Sequence, residues 1–297
     1  MYTAINSKGI KVRAKEANRG EDYYCPLCNT KLIYKAGKYN AHHFAHENKK
    51  SCDSWNNEMS LWHTLWQDLF PIDNIEVPIT VDDKTHIADV KIGDKIIEFQ
   101  HSNISYEEMV ERNQFYLKSN DNLIWVIDGI GKRFYMIADP RERYINRINV
   151  ETELDCSKEK QYYWSYQNKA IRDIDWDNNL QLYIHENENY LINVTKMSWG
   201  QFMGIGIKTE DFIRSLSSEV VYKNNFLGYP EHNRRENDVK YYKKTIRELK
   251  MTVDLETNKK FDLYIKQEIT YKDLKAYLKN KYQFNGERSS FHADYYD

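Results

Sequence analysis

The chain has 297 residues, enough for two or three domains of ordinary size. Its net charge of −2 argues against a protein that coats nucleic acid through a general positive charge, and no apolar run approaches the roughly 20 residues of a membrane span. The first residues, Met1 to Lys8, do not follow the pattern of a signal peptide. We therefore expect a cytoplasmic protein with no membrane partner.

Charge is distributed unevenly along the chain. Residues 1–56 contain ten Lys or Arg and five Asp or Glu, whereas residues 57–128 contain five and fourteen. A basic front next to an acidic middle is typical of a polyanion-binding arm beside a carboxylate-rich metal site. A solvated surface explains the same charges equally well.

Cysteine and histidine pairs mark the first 55 residues. Cys25 and Cys28 form a CxxC pair, and His43 and His46 form an HxxH pair after an intervening loop. In a reducing compartment this spacing favours metal binding or redox chemistry over a structural disulfide. Two thiolates and two imidazoles suffice for a closed tetrahedral site, so we predict a small knuckle that holds structural Zn²⁺.

The fourth ligand of this knuckle is open, because His42 and Cys52 lie close enough in the sequence to replace a histidine of the pair. A free dithiol beside a polar histidine cluster is the alternative without metal. Lys31 and Lys35 are among the lysines that surround the knuckle, and we expect them to contact phosphates.

A helix is predicted from Asn57 to Phe70, where leucines recur every four positions until Pro71 stops the pattern. Glu58 lies at the start of this helix, where it serves either as an additional metal ligand or as a charge that stabilises the helix dipole. His63 points away from Glu58 and is either packed in the core or in contact with a phosphate.

Strand patterns follow over Ile75 to Val81, Ile87 to Ile92 and Lys95 to Gln100. The last two flank Gly93-Asp94, which has the composition of a two-residue hairpin turn. The sequence therefore predicts a meander of three strands after the helix.

The register of this hairpin places two carboxylates face to face. Asp89 lies directly opposite Glu98, with Cβ atoms about 5 Å apart, and Gln100 shares their face. Facing carboxylates destabilise a hairpin unless a cation neutralises them, and hard divalent ions prefer such oxygen ligands. We predict a Mg²⁺ or Mn²⁺ site at Asp89 and Glu98; the alternative is a register shifted by one residue, with both acids solvated.

A helix from Ser105 to Lys118, with Ser105 as its cap and Glu108 three residues on, precedes a buried strand from Leu123 to Ile127. A strand, a helix and a second strand predict a right-handed crossover with parallel pairing. The central region thus has the order helix, three strands, helix, strand.

The sequence texture changes after Pro140. A hairpin is predicted over Leu180 to Ile184 and Tyr190 to Val194, and helices over three further segments: Thr209 to Leu216, Lys243 to Lys250 and Tyr271 to Tyr282. We predict three regions: a zinc-binding region over 1–55, an α/β domain over 56–145, and a separate α+β accessory domain over 146–297.

Several of these motifs occur together and in order over roughly residues 20–130: Cys25-Pro26-x-Cys28, Gly37, His43-Phe44-Ala45-His46, Glu58, His63, Ala88-Asp89-Val90 and Ile97-Glu98-Phe99-Gln100-x-Ser102-x-Ile104. They resemble the motifs of the competence protein CoiA family. The resemblance implies a zinc-finger-like N-terminus and a nuclease-like α/β domain of the restriction-endonuclease superfamily, the PD-(D/E)xK type.

The resemblance also implies roles for individual residues. Asp89 is the metal-binding Asp, Glu98 is the Glu of the ExK motif, and Gln100 falls where that motif has its Lys. Lys stabilises developing negative charge, whereas a neutral Gln orients water without contributing charge. We expect the catalytic set to be Asp89, Glu98, Gln100 and Glu58. Nucleic-acid contacts are expected at His63, His101, Ser102, Lys31 and Lys35.

The expected activity is metal-dependent hydrolysis of DNA phosphodiester bonds. The setting implied by the resemblance is the processing of incoming DNA for recombination, or defence against foreign DNA, with recombination or defence proteins as partners. The alternative is a non-catalytic DNA-binding accessory protein whose nuclease fold has lost turnover. A zinc-dependent protein-interaction module is a weaker third option.

Overall fold

The computed structural model describes residues 1–36, 41–47, 52–53, 55, 59–119, 121–130, 134–136, 156–164, 169–198, 201–217, 220 and 222–282. The chain divides into two compact units, Met1–Leu227 and Gly228–Asp297. All of the predicted catalytic and metal-binding residues belong to the first unit. No helix among the described residues is long and apolar enough to cross a membrane.

A small antiparallel sheet begins the first unit. Its five described strands are β1 (Thr3–Asn6), β2 (Lys11–Arg13), β3 (Tyr23–Tyr24), β4 (Lys31–Lys35) and β5 (His43–His46). They lie in the order β2-β1-β3-β4-β5. Tyr23 and Phe44 form its buried centre, with ring centroids 4.9 Å apart. The turn between β3 and β4 therefore leaves a sheet with a packed core, and this turn contains the CxxC pair.

A larger mixed sheet forms the core of the first unit. Among the described residues it has nine strands: β6 (Ile75–Val81), β7 (Lys84–Ile92), β8 (Lys95–Gln100), β9 (Asn122–Asp128), β10 (Phe134–Met136), β11 (Lys160–Trp164), β12 (Leu180–Asn187), β13 (Tyr190–Ser198) and β14 (Gln201–Lys208). Their order is β10-β11-β14-β13-β12-β9-β8-β7-β6. The pairs β8–β9 and β9–β12 are parallel. The predicted crossover from β8 to a parallel β9 is confirmed.

Helices of the first unit cover both faces of this sheet. They are α1 (Leu61–Gln67), α2 (Tyr106–Leu117), α3 (Lys169–Arg172) and α4 (Thr209–Leu216). In β8, Phe99 packs against Trp66 of α1, whereas the neighbouring Glu98 pairs with Arg112 of α2. Because successive residues of a strand point to opposite faces, α1 and α2 lie on opposite sides of β8. Strand β8 is buried on both faces, as its nearly continuous apolar sequence predicts.

Polar caps begin the two helices that flank β8. Ser60 accepts a hydrogen bond from the backbone N–H of His63, and Ser105 accepts one from the backbone N–H of Glu108. Each satisfies a donor that the first helical turn leaves free. The predicted cap at Ser105 is confirmed. Helix α1 begins at Leu61 within the predicted span, part of which lies outside the described residues.

The hairpin of β7 and β8 has the predicted register. Ile92 pairs with Lys95, and Val90 pairs with Ile97. Gly93 has a φ of +56°, which glycine adopts without a steric penalty, so a two-residue turn closes here. Beyond Val90 the pairing of β7 with β8 ends, while β7 continues to pair with β6 down to Lys84. The two strands therefore separate beside Asp89.

The second unit contains three described helices: α5 (Tyr229–Glu248), α6 (Leu255–Ile265) and α7 (Tyr271–Tyr282). Ile246, Phe261, Tyr264 and Leu274 are among the residues of its own apolar core. Helix α7 has the predicted bounds, α5 begins before the predicted segment, and α6 is an element that the sequence reading missed.

The division of the chain differs from the predicted boundary at 145/146. Strands β11 to β14 belong to the large sheet, because β12 pairs in parallel with β9 from Leu180–Leu123 to His185–Asp128. The predicted hairpin over 180–194 is thus part of the α/β unit, and the boundary between compact units lies at Leu227/Gly228. Local composition and hydrophobic pattern do not show which earlier strand a hairpin will pair with.

Candidate active site and candidate metal centre

Four side chains near the small sheet form a cluster suited to a metal ion. The ligand atoms of Cys25, Cys28, His46 and Cys52 all lie within 4.8 Å of one another. Cys25 Sγ lies 3.5 Å from Cys52 Sγ, and Cys28 Sγ lies 3.3 Å from His46 Nε2. Three thiols and one imidazole are a ligand set of closed structural zinc sites, so the residues fit zinc.

The tight turn after β3 brings the first two cysteines together. The backbone N–H of Cys25 donates to the Thr30 carbonyl, and the N–H of Asn29 donates to the Cys25 carbonyl, each at 2.9 Å. Asn29 has a φ of +54°, a conformation that asparagine tolerates better than most residues. A CxxC pair in such a turn presents both sulfurs to one side.

The predicted zinc ligand His43 is not in the cluster, and Cys52 takes its place. His43 and His46 both belong to β5, and residues three apart on a strand point to opposite faces. His43 Nδ1 instead donates to the Ala41 carbonyl at 2.9 Å. His42, the other alternative, contacts the Tyr34 hydroxyl through Nδ1 at 2.9 Å.

The two predicted carboxylates meet at the point where β7 and β8 separate. The backbone N–H of Phe99 donates to Asp89 Oδ2 at 2.8 Å, so a side chain occupies the place of a ladder bond. Glu98 Oε1 lies 3.4 Å from the backbone nitrogen of Asp89. Asp89 and Glu98 also line one cavity of about 60 Å³. The predicted approach of the two acids is therefore present in the structure.

Glu98 is buried, and its charge is only partly compensated. Its Oε2 lies 3.1 Å from Arg112 Nη1, and Arg112 Nη2 also donates to Glu108 Oε1 at 2.6 Å. Burial and the neighbouring charge of Asp89 raise the pKa of Glu98 to about 8, against the opposing effect of Arg112. A divalent cation between the two acids would relieve this repulsion, so the site fits an ion with oxygen ligands.

Helix α1 supplies two side chains to Asp89. His63 Nε2 lies 2.9 Å from Asp89 Oδ1, and His63 is itself buried. Burial lowers the pKa of His63, but the charge and hydrogen bond of Asp89, together with the charges of Glu76 and Glu98, outweigh it and leave that pKa above its ordinary value. Gln67 Nε2 donates to the Asp89 carbonyl at 3.4 Å. His63, predicted as either a packed or a phosphate-binding residue, is a direct partner of Asp89.

Glu76 is a third acid on the same cavity, and the sequence reading did not select it. It has a φ of +46° and is 4% exposed. Its carboxylate accepts three hydrogen bonds of 2.6 Å from β1: the backbone N–H groups of Tyr2 and Thr3 and the Thr3 hydroxyl. Glu76 thus holds the first strand against the edge of the cavity. A partner 74 residues away leaves no local signal.

Gln100 does not line the cavity. Its Nε2 donates to the Ser102 carbonyl at 2.8 Å and to the Ser102 hydroxyl at 3.3 Å. Gln100 Oε1 is buried and has no hydrogen-bond partner among the described residues. His101 turns to Asp128, with 2.7 Å between Nδ1 and Oδ2. Gln100, His101 and Ser102 therefore lie at the end of β8, beyond the acids.

The remaining predicted site residues are dispersed. Glu58 lies outside the described residues. Lys31 pairs with Asp22 at 2.7 Å, and Lys35 lies exposed at the end of β4. Arg112 was missed, because an arginine in the middle of an amphipathic helix has the same sequence signature as a solvated one.

Two family models match the chain. The model described as competence protein CoiA, N-terminal domain, matches residues 8–54, and the model described as competence protein CoiA, nuclease-like domain, matches residues 87–192. Together they span just over half of the chain, in the order that the sequence motifs predict.

The chain belongs to the CoiA-like family of competence proteins.

The search of curated proteins and the search of solved structures gave no match. Within the CoiA-like chain, the N-terminal match ends at residue 54 and includes all four clustered residues that could hold a metal ion: Cys25, Cys28, His46 and Cys52. The nuclease-like match contains Asp89, Glu98 and Arg112. It continues through β12 into β13, which agrees with the single sheet and not with a boundary at 145/146.

Proposed function

We propose that this CoiA-like protein is a metal-dependent DNA nuclease of the PD-(D/E)xK type. The observation that carries the proposal is the pair Asp89 and Glu98, which share one cavity at the point where β7 leaves β8. The match to the nuclease-like family domain over the same residues supports it. The substrate class is DNA taken up or encountered as foreign DNA, in recombination or in defence.

Asp89 and Glu98 would hold Mg²⁺ or Mn²⁺, and the ion would supply an activated water and charge neutralisation at the phosphate. His63 orients Asp89 through the contact at 2.9 Å, and Arg112 orients Glu98 through the contact at 3.1 Å. Hydrolysis adds water across the P–O bond and leaves a phosphate monoester and an alcohol. The chain's own residues fix the direction of both carboxylates, and a bound cation would favour the ionised form of Glu98.

Arg112 is a candidate for the positively charged residue that the usual motif places at position 100. Gln100 is neutral and turned towards Ser102, whereas the buried guanidinium of Arg112 lines the cavity with both acids. A cation at this place stabilises negative charge that develops in the transition state. We assign that role to Arg112 and a supporting role at the end of β8 to Gln100.

A non-catalytic DNA-binding accessory protein is the competing function. It is favoured by the absence of a Lys at position 100 and by the ion pair that occupies one oxygen of Glu98. In that case Arg112 replaces the divalent cation as the partner of the buried acid, and the fold binds DNA without cleaving it.

Cleavage time courses separate the two functions. Wild type is expected to cleave single-stranded, duplex or branched DNA with Mg²⁺ or Mn²⁺, and Asp89→Asn is expected to lose cleavage while keeping a cooperative thermal melt. Asp94→Asn is the matched control, since Asp94 lies in the exposed turn of the same hairpin. Equal cleavage by wild type and a folded Asp89→Asn variant would contradict the nuclease assignment; DNA binding without cleavage by either would favour the accessory function.

A further inference from the structure

Two residues that follow Cys52 reach into the carboxylate cavity. Asp53 is 7% exposed. Its Oδ1 lies 2.8 Å from Nδ1 of His86, and its Oδ2 accepts from the backbone N–H of Ile87, also at 2.8 Å. Both partners belong to β7, and Ile87 precedes Asp89 by two residues. The acid beside a clustered cysteine thus holds the strand that carries a cavity carboxylate.

Trp55 makes the second connection. Its indole stacks on the His86 ring, with 3.3 Å between centroids and an interplanar angle of 9°. Its carbonyl accepts from Arg112 Nη2 at 2.9 Å, and its ring lies 5.4 Å from the Arg112 guanidinium carbon. Arg112 in turn contacts Glu98. The same short segment therefore reaches both carboxylates, Asp89 through β7 and Glu98 through Arg112.

Chain connectivity makes this arrangement depend on Cys52. Consecutive Cα atoms are 3.8 Å apart, so Asp53 cannot keep its two hydrogen bonds to β7 if Cys52 moves by several ångströms. Cys52 Sγ lies 3.5 Å from Cys25 Sγ, a weak contact between thiols. A metal–thiolate bond, within a site closed by the other three ligands, would fix the position of Cys52 far more firmly.

We propose that Cys52, Asp53 and Trp55, the bridging residues, position the two cavity carboxylates, so that a metal ion in the Cys25, Cys28, His46 and Cys52 cluster organises the nuclease site. The proposal rests on the proposed function for what the cavity binds. Asp53 and Trp55 are positioning residues and not catalytic ones. Both oxygens of the Asp53 carboxylate contact β7, at His86 and at the Ile87 backbone N–H, and the Trp55 side chain carries no charge.

A purely anchoring role would tie the N-terminal sheet to the large sheet without affecting the acids. The two roles differ in one observable, the affinity of the cavity for a divalent cation. Partners outside the ligand sphere typically change metal affinity by about 10–100-fold. Positioning therefore predicts a change of that size at the carboxylates, and anchoring predicts none.

The test is Mn²⁺ binding by the full-length protein, followed by electron paramagnetic resonance. Zinc-loaded wild type is compared with Asp53→Asn, which keeps the size of the side chain and removes its charge. The matched control is Asp22→Asn, which removes an exposed acid of the same N-terminal region that pairs with Lys31 at 2.7 Å. We expect Mn²⁺ affinity to fall about tenfold or more in Asp53→Asn and to stay within twofold of wild type in Asp22→Asn.

Removal of the clustered metal provides a second arm that leaves the bridging residues unchanged. Cys28→Ser, or wild type stripped of zinc and freed of chelator, is expected to lose Mn²⁺ affinity to a similar extent, and zinc added back to wild type is expected to restore it. If Asp53→Asn does not fold, this arm decides. Unchanged Mn²⁺ affinity after loss of zinc, in a folded protein, overturns the inference. Absence of Mn²⁺ binding by zinc-loaded wild type overturns the proposed function instead, so the two failures are distinguishable.

Discussion

Glu98 is a buried carboxylate, and its burial has an energetic cost for the fold. It is 2% exposed, it faces the charge of Asp89, and one arginine compensates it in part. A buried carboxylate of this kind is tolerated only where paired or protonated. The raised pKa of Glu98, about 8, is the direct consequence.

This pKa predicts how pH affects the metal-free protein. The pKa of Glu98 in the folded protein lies above its ordinary value. The stability that Glu98 contributes is therefore fully present below its ordinary pKa, and it is lost as pH rises through about 8. We expect Glu98→Gln to be more stable than wild type at pH 8.5, by on the order of 2 kcal/mol, and to differ less at pH 5. Thermal melts of metal-free protein measure this, with the exposed Glu107→Gln as control; a stability difference independent of pH would contradict it.

The same pKa predicts the pH dependence of the cavity as a divalent-ion site. A proton on Glu98 competes with the ion, so Mn²⁺ affinity should rise as pH increases towards about 8 and then level off. Calorimetric titration of wild type between pH 6 and 9 tests this. Affinity that falls with rising pH in the same range would be inconsistent with Glu98 as a ligand.

Arg112 is expected to stabilise the fold through its pair with Glu98. Above pH 8, where Glu98 is ionised, Arg112→Met leaves a buried carboxylate without its partner, which typically costs about 3–5 kcal/mol. The double variant Arg112→Met with Glu98→Gln should recover much of that loss, because the uncompensated charge is then absent. Urea denaturation of wild type, both single variants and the double variant at pH 8.5 completes the cycle; a double variant whose stability change equals the sum of the two single changes would show that the pair is not coupled.

At the scale of elements, the hairpin of β7 and β8 sets the site. Its turn fixes the register, and the register brings Asp89 and Glu98 to the place where the strands part. The turn depends on Gly93, whose φ is +56° and around which a Cβ would meet no atom within 4 Å. The cost of a substitution there is therefore one of backbone conformation and not of packing.

Gly93→Ala is expected to destabilise the protein by roughly 1 kcal/mol, and Gly93→Asn by less, because asparagine adopts positive φ more readily. Chemical denaturation of the metal-free protein measures both. The order of the two variants is the informative result: alanine better tolerated than asparagine would mean that this turn does not require a left-handed residue.

At the scale of the whole molecule, two sheets of the first unit meet through a few long-range contacts. Glu76 binds β1 from the edge of the large sheet, and Asp53 binds β7 from the side of the small one. Lys11 Nζ donates to the Ile75 carbonyl at 2.5 Å and adds a third tie. The cluster of Cys25, Cys28, His46 and Cys52 and the carboxylate cavity are therefore parts of one compact unit.

Metal content tests the ligand set that this arrangement selects. Protein purified without added zinc should contain about one zinc per chain. Cys52→Ser should lose most of it, whereas His43→Ala should retain it, because His43 points away from the cluster. Elemental analysis of the three proteins decides; retention by Cys52→Ser together with loss by His43→Ala would reverse the assignment.

Much of the local structure follows from local pattern. The bounds of β6, β8, α4 and α7 agree with their hydrophobic periodicity. So do the cap at Ser105 and the register around Gly93. These features depend on residues within a few positions of one another, which is why periodicity and turn chemistry are sufficient to predict them.

By itself the sequence determined the CxxC turn, the facing acids Asp89 and Glu98, and the order of elements that leads to the nuclease-like domain. Only the tertiary structure decided that Cys52 replaces His43, that Arg112 and Glu76 join the cavity, and that β12 extends the sheet beyond β9. The physical reason is the same in each case. These choices depend on which face of an element a side chain occupies and on partners tens of residues away, and local pattern carries no record of either.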